Sequence, residues 1–80
     1  MLEIRPNCEC CNKDLLPSSA EVYICSFECT FCADCAQDKL DLVCPNCGGG
    51  LVHRPIRPAH KLLEHPASTQ RVYKPEGCTS

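Results

Sequence analysis

Cys25-Ser26-Phe27-Glu28-Cys29-Thr30-Phe31-Cys32-Ala33-Asp34-Cys35, followed nine positions later by Cys44-Pro45-Asn46-Cys47, decides how this chain folds. Upstream, Cys8-Glu9-Cys10-Cys11 adds a further close pair. With Cys10 and Cys78 set aside, the cysteines read C-x2-C-x13-C-x3-C-x2-C-x2-C-x8-C-x2-C. A C-x-x-C loop suits two thiolates on one tetrahedral metal ion with sulfur at about 2.3 Å. Eight ligands at compatible spacing are a far stronger metal signal than one such pair.

The rest of the composition says why a metal is needed. The chain has 80 residues and a mass of 8.8 kDa, enough for one small domain. Ten of its apolar residues are cysteine, there is no Trp, and only two Phe and two Tyr occur. Burial alone struggles to offset the ordering entropy of such a chain. A large enzyme, a coiled coil and a membrane span are excluded, since no apolar run approaches the roughly 20 residues a bilayer requires. Cysteine at this density usually reads as a secreted disulfide scaffold. Here Met1-Leu2-Glu3-Ile4-Arg5-Pro6 has neither a basic n-region nor an apolar h-region, so a reducing, cytoplasmic location is expected and the thiols are free to ligate metal. A thioredoxin-like use of C-x-x-C wants a βαβ context that is not visible.

Around the knuckles, Val22-Tyr23-Ile24 is β-prone and predicts a short strand running into Cys25. Ala36–Leu40 favours a short helix with Leu40 facing inward, and Leu51-Val52 is a returning strand. Leu15 and Leu16 point at a core. From His53 onward Pro55, Pro58, Pro66 and Pro75 punctuate the chain. Ala59–His65 has room for about two helical turns, and residues 66–80 read as irregular and mobile. The division predicted is a metal-binding domain over 5–52 and a Pro-rich basic tail over 53–80. Charge follows that division, with −5 over residues 1–51 and +3 over 52–80.

Cys29-Thr30-Phe31-Cys32-Ala33-Asp34-Cys35 with Cys44-Pro45-Asn46-Cys47 resembles a RING finger, in which H-x-F-C-x-x-C precedes a terminal C-P-x-C. Cys29 stands where that family usually has histidine, as in the all-cysteine treble-clef relatives. The resemblance covers residues 8–47. It implies a small metal-stabilised α+β fold with a short β-hairpin, one short helix and two interleaved four-cysteine zinc sites. One Zn²⁺ would take Cys8, Cys11, Cys32 and Cys35, the other Cys25, Cys29, Cys44 and Cys47. Sequential pairing, as in tandem zinc knuckles, is the rival topology, and iron also suits a site of four cysteines. Four protein ligands leave no open position for Lewis-acid catalysis, so no enzyme activity is expected. Ubiquitin-ligase activity is not expected either. Cys10 and Gly48 stand where ligases carry an apolar and a basic contact residue, and only Pro45 matches. The stretches Met1–Cys11, Ile24–Ala36, Cys44–Gly49 and Arg54–Pro58 are also similar to a family of short bacterial cysteine-rich proteins with no assigned function.

Three functions follow as expectations. The first is a non-catalytic module that binds another protein, with Leu15, Leu16, Pro45, Leu51 and Val52 as candidate contact residues. The second is nucleic-acid binding by Arg54, Arg57, Lys61, Arg71 and Lys74 of the tail. Those cations otherwise read as a solvated tail, and Tyr73 alone is no stacking platform. The third is metal storage or delivery. Cys10 reads as a small side chain beside the knuckle, Cys78 as a free thiol, and His53, His60 and His65 as surface histidines.

Overall fold

Val22–Ile24 (β1), Thr30–Cys32 (β2) and Val52–His53 (β3) form an antiparallel sheet in the order β2-β1-β3. The structure, a computed structural model, describes residues 2–78, the side chains of 77 and 78 excepted. β-Branched Val22, Ile24 and Thr30 suit the pleated strands. Val22 pairs with Cys32 and Ile24 with Thr30 on one side, and Tyr23 pairs with His53 on the other. This is the small α+β architecture expected from the sequence, with its hairpin and its returning strand. Every residue of β1 and β2 is buried. β3 lies across the 52/53 boundary drawn from composition.

The core is small and rich in sulfur. Phe31, Val22, Leu15, Tyr23, Ala36 and Leu51 pack with six of the cysteines. Phe31 is fully enclosed, whereas Phe27 is 71% exposed. Leu15 is buried and Leu16 is 70% exposed, so the expectation that both point inward is corrected. The backbone here is extended: Leu15 N–H donates to Pro6 O, and Asn7 bridges Asp14. Successive side chains of extended backbone face opposite ways. Leu40 packs partly buried against the core, as expected.

Two departures concern helices. The short helix expected at 36–40 is a π turn over Cys35–Lys39, closed by Leu40 N–H donating to Cys35 O. The chain leaves it through Asp41 and Leu42, both at positive φ, which swings it into the Cys44 knuckle. The helix expected after Pro58 is Ala59–Leu62 (α1), shorter than two turns, with Pro58 O accepting from Lys61 and Leu62 N–H.

The segment after α1 has no strand among the described residues but is tied down, contrary to its expected mobility. Ser68 N–H donates to Ile4 O, Lys74 N–H to Glu9 O and Val72 N–H to Asn7 Oδ1. Buried Asn7 donates in turn to Val72 O and Asn12 Oδ1. Arg71 pairs with Asp14 at 2.7 Å and donates to Asn12 O. Arg57 donates to Leu2 O and His65 O. Arg54 is only 3% exposed, and its guanidinium donates to Arg5 O and Leu16 O. Burial pushes the pKa of Arg54 down, the cost of taking a cation out of water. Arg54 is therefore a buried clasp between the N-terminal segment and the sheet, and its expected place in a solvated tail is corrected. No helix among the described residues is long and apolar enough to cross a membrane.

Candidate metal centres

Two knuckles are built on one backbone pattern. Cys8 N–H donates to Lys13 O and Asn12 N–H to Cys8 O; Cys44 N–H donates to Gly49 O and Gly48 N–H to Cys44 O. The residue after each second cysteine, Asn12 and Gly48, takes a positive φ of 61° and 77°. Gly and Asn are the residues that tolerate this conformation best. The turn directs both thiols of each C-x-x-C to one side. Backbone N–H groups then reach the sulfurs: Cys10 N–H to Cys8 Sγ at 3.4 Å, Phe27 N–H to Cys25 Sγ at 3.3 Å and Gly49 N–H to Cys47 Sγ at 3.4 Å. Donors aimed at sulfur favour the thiolate that a metal requires.

The sulfurs gather in two groups. Those of Cys8, Cys11, Cys32 and Cys35 all lie within 4.8 Å of one another. Cys11 Sγ is 3.7 Å from Cys32 Sγ, close to the edge of about 3.8 Å that follows from a tetrahedron with metal–sulfur bonds of about 2.3 Å. The sulfurs of Cys25, Cys44 and Cys47 form the second group within the same limit. Cys29 falls outside that group, although it interacts with Cys25 and its Sγ accepts from Asn46 Nδ2 at 3.4 Å. The groups interleave along the chain, so segments around 8 and 32 meet in one, and segments around 25 and 44 in the other. The donor chemistry of each group fits a soft or borderline metal ion.

Ionisation within each group is divided. Burial opposes loss of the Cys11 proton, but the backbone N–H of Lys13 and neighbouring thiols outweigh it and draw its pKa down. In Cys25, burial is likewise outweighed by the N–H groups of Phe27 and Cys29. Burial, reinforced by Cys32 and the charge on Cys8, pushes Cys35 up. Cys32 also rises by burial, against the backbone N–H of Cys35. Burial holds Cys44 up at about 12 against the N–H groups of Cys47 and Asn46. Cys29 rises by burial, opposed by Asn46 and helped by the Glu9 charge. Thiolates this close repel each other; a divalent cation held by these sulfurs would offset the repulsion and favour loss of the remaining protons.

Cys10 is not simply a small filler beside the knuckle. It is buried and engaged in a disulfide, while all eight paired cysteines are free thiols. The side chain of Cys78 lies outside the described residues. His53, His60 and His65 are exposed and belong to neither sulfur group; the His53 ring packs on Tyr23 with centroids 4.4 Å apart.

Sequence reading missed Glu9 and Asn46. Glu9 is 1% exposed although it sits inside the first knuckle. Its carboxylate accepts from Arg5, from Thr30 N–H and from Asn46 Nδ2. A charged residue between two ligands normally reads as solvated, and only the fold brings Asn46 across to it. The sequence did contain a signal for the turn, since Asn12 and Gly48 each follow a C-x-x-C.

A family model described as a protein of unknown function, DUF1272, matches residues 1–57. The chain belongs to this family. It is also 64% identical over 78 residues to an uncharacterised protein of Rhizobium meliloti (strain 1021), an alignment covering 98% of this chain and 93% of the relative. The relative is bacterial and the family has no assigned function, as the sequence resemblance implied, and in this cysteine-rich chain two cysteine groups can hold metal. The similarity to the relative continues through the segment that straps back onto the N-terminal region. No solved structure matches the chain.

Proposed function

We propose that this DUF1272 protein is a cytoplasmic, non-catalytic zinc protein with a RING-like, treble-clef head. It carries two Zn²⁺ ions and binds another protein. The observation that carries the proposal is the interleaved gathering of the sulfurs. Zn²⁺ suits it best: it is four-coordinate, redox-inert and indifferent to d-electron geometry. Cys8, Cys11, Cys32 and Cys35 would hold one ion. Cys25, Cys44 and Cys47 would hold the other, with Cys29 completing the set.

A protein partner is favoured by what the second group presents. Phe27, Leu42, Val43 and Val52 are exposed apolar residues on the three segments that carry or adjoin it. Backbone bonds join those segments, including Leu51 N–H to Leu42 O and the pairing of Ile24 with Val52. Of the contact residues expected from sequence, Leu16 and Val52 are exposed, Leu15 and Leu51 are core, and Pro45 is half-buried. Nucleic-acid binding is less favoured because Arg54, Arg57 and Arg71 are already bonded within the chain.

Photo-crosslinking from positions 27 and 52 in the native host tests this. Crosslinks to a defined polypeptide, lost on metal removal and little changed by salt, are expected. Crosslinks to nucleic acid that weaken steeply with salt would overturn protein binding in favour of the tail. Rapid surrender of zinc to a weak chelator, with no crosslinks, would overturn it in favour of storage or delivery.

A further inference from the structure

We infer that Glu9 and Asn46 form a latch between the two cysteine groups, through which filling the first prepares the second. The inference rests on the metal-binding reading above and adds an order of loading to it. Glu9 lies between Cys8 and Cys11 of the first group, and Asn46 between Cys44 and Cys47 of the second. Glu9 Oε1 accepts from Asn46 Nδ2 at 3.0 Å. The same Nδ2 reaches Cys29 Sγ at 3.4 Å. Glu9 Oε2 accepts from Thr30 N–H at 3.2 Å, and Glu9 N–H donates to Thr30 O at 3.0 Å, directly after Cys29. One side chain in the Cys8–Cys11 knuckle thus holds both the Cys44–Cys47 knuckle and the residue beside Cys29.

Two further observations give this contact a purpose. Cys29 is the one sulfur of the eight that lies outside its group. Its approach therefore completes the second centre, and Asn46 Nδ2 reaches it beside the thiol of Cys25. Glu9 is also a buried carboxylate beside two sites that become anionic when each ion is held by four thiolates. Placing a third anion there is unfavourable unless its bonds are productive. Arg5 Nη1, 3.0 Å from Oε2, supplies the compensating charge. A metal in the first group fixes the turn that carries Glu9. Glu9 then fixes Asn46 and Thr30, and Cys29 is delivered to the second ion. In the reverse order the second group has three gathered sulfurs and a fourth, Cys29, that is not held within reach of all of them, so its affinity is lower.

Stepwise cobalt titration of the anaerobic, metal-stripped full chain tests the latch, with native mass spectrometry counting ions and the visible bands reporting coordination. In the wild type, the first ion is expected to saturate before the second, and both are expected to give four-sulfur tetrahedral spectra. Asn46→Ala alters an exposed side chain and keeps every ligand. It is expected to leave the first affinity within about twofold and to weaken the second about tenfold or more, comparable with losing an outer partner of a metal site. Its second spectrum should move toward three sulfurs and a water. Glu9→Gln should weaken the second ion more than the first, and the double variant should be no worse than the poorer single one. Equal losses at both ions, or an unchanged second affinity in Asn46→Ala, would overturn the latch and leave metal binding intact. Failure of the wild type to bind cobalt at all would overturn the metal-binding reading, and the latch with it.

Discussion

Removing the metal from the anaerobic protein with a strong chelator is expected to unfold residues 5–52. The apolar core has one fully enclosed aromatic, Phe31, and few large aliphatic side chains. A structural zinc contributes an apparent folding free energy of about 10 kcal/mol or more. That is as large as the whole net stability of a typical domain, about 5–15 kcal/mol. Without the ions, the thiols of each group are left packed against one another with unequal ionisation and no cation to share. The disulfide at Cys10 restrains the chain but replaces neither group. The expected signature is collapse of the dispersed amide spectrum and of the near-ultraviolet dichroism, both restored by zinc. A spectrum unchanged by chelation would mean that packing alone holds the head.

The second large effect is expected from Cys35→Ser. Cys35 opens the π turn and belongs to the first sulfur group, yet its loss is expected to weaken metal binding at both groups. β2 ends at Cys32 of the first group, and its partner β1 runs directly into Cys25 of the second. Loosening one end of the hairpin therefore loosens the other. Zinc content should fall from two ions to one or fewer per chain, with a loss of about tenfold or more in affinity at the group whose ligands are untouched. Full retention of that affinity would show two independent beads, the behaviour of tandem knuckles.

Much of this was legible in the sequence because thiol spacing is a local signal. C-x-x-C fixes both members of a pair within one turn, and Val22-Tyr23-Ile24 and Leu51-Val52 carry the β-propensity that the sheet realises. What was not legible depends on long-range contacts. Leu15 and Leu16 are adjacent and equally apolar, and only the extended pairing near Asn7 decides which one is buried. Arg54 looks like any tail cation until the carbonyls of Arg5 and Leu16 are brought to it. The strap from Ser68 to Lys74 offers its backbone at 68, 72 and 74 and the Arg71 side chain, and bonds made by the strap's own backbone leave no residue-type signature. Asn46 and Glu9, 37 residues apart, have no reason to be paired until the knuckles meet.

The most direct measurement is the metal-to-chain ratio of protein purified under reducing conditions without added metal, by native mass spectrometry with elemental analysis. Two zinc ions per folded chain are expected. A folded chain with no bound metal would contradict the claim that ions clasped by sulfur make this head rigid.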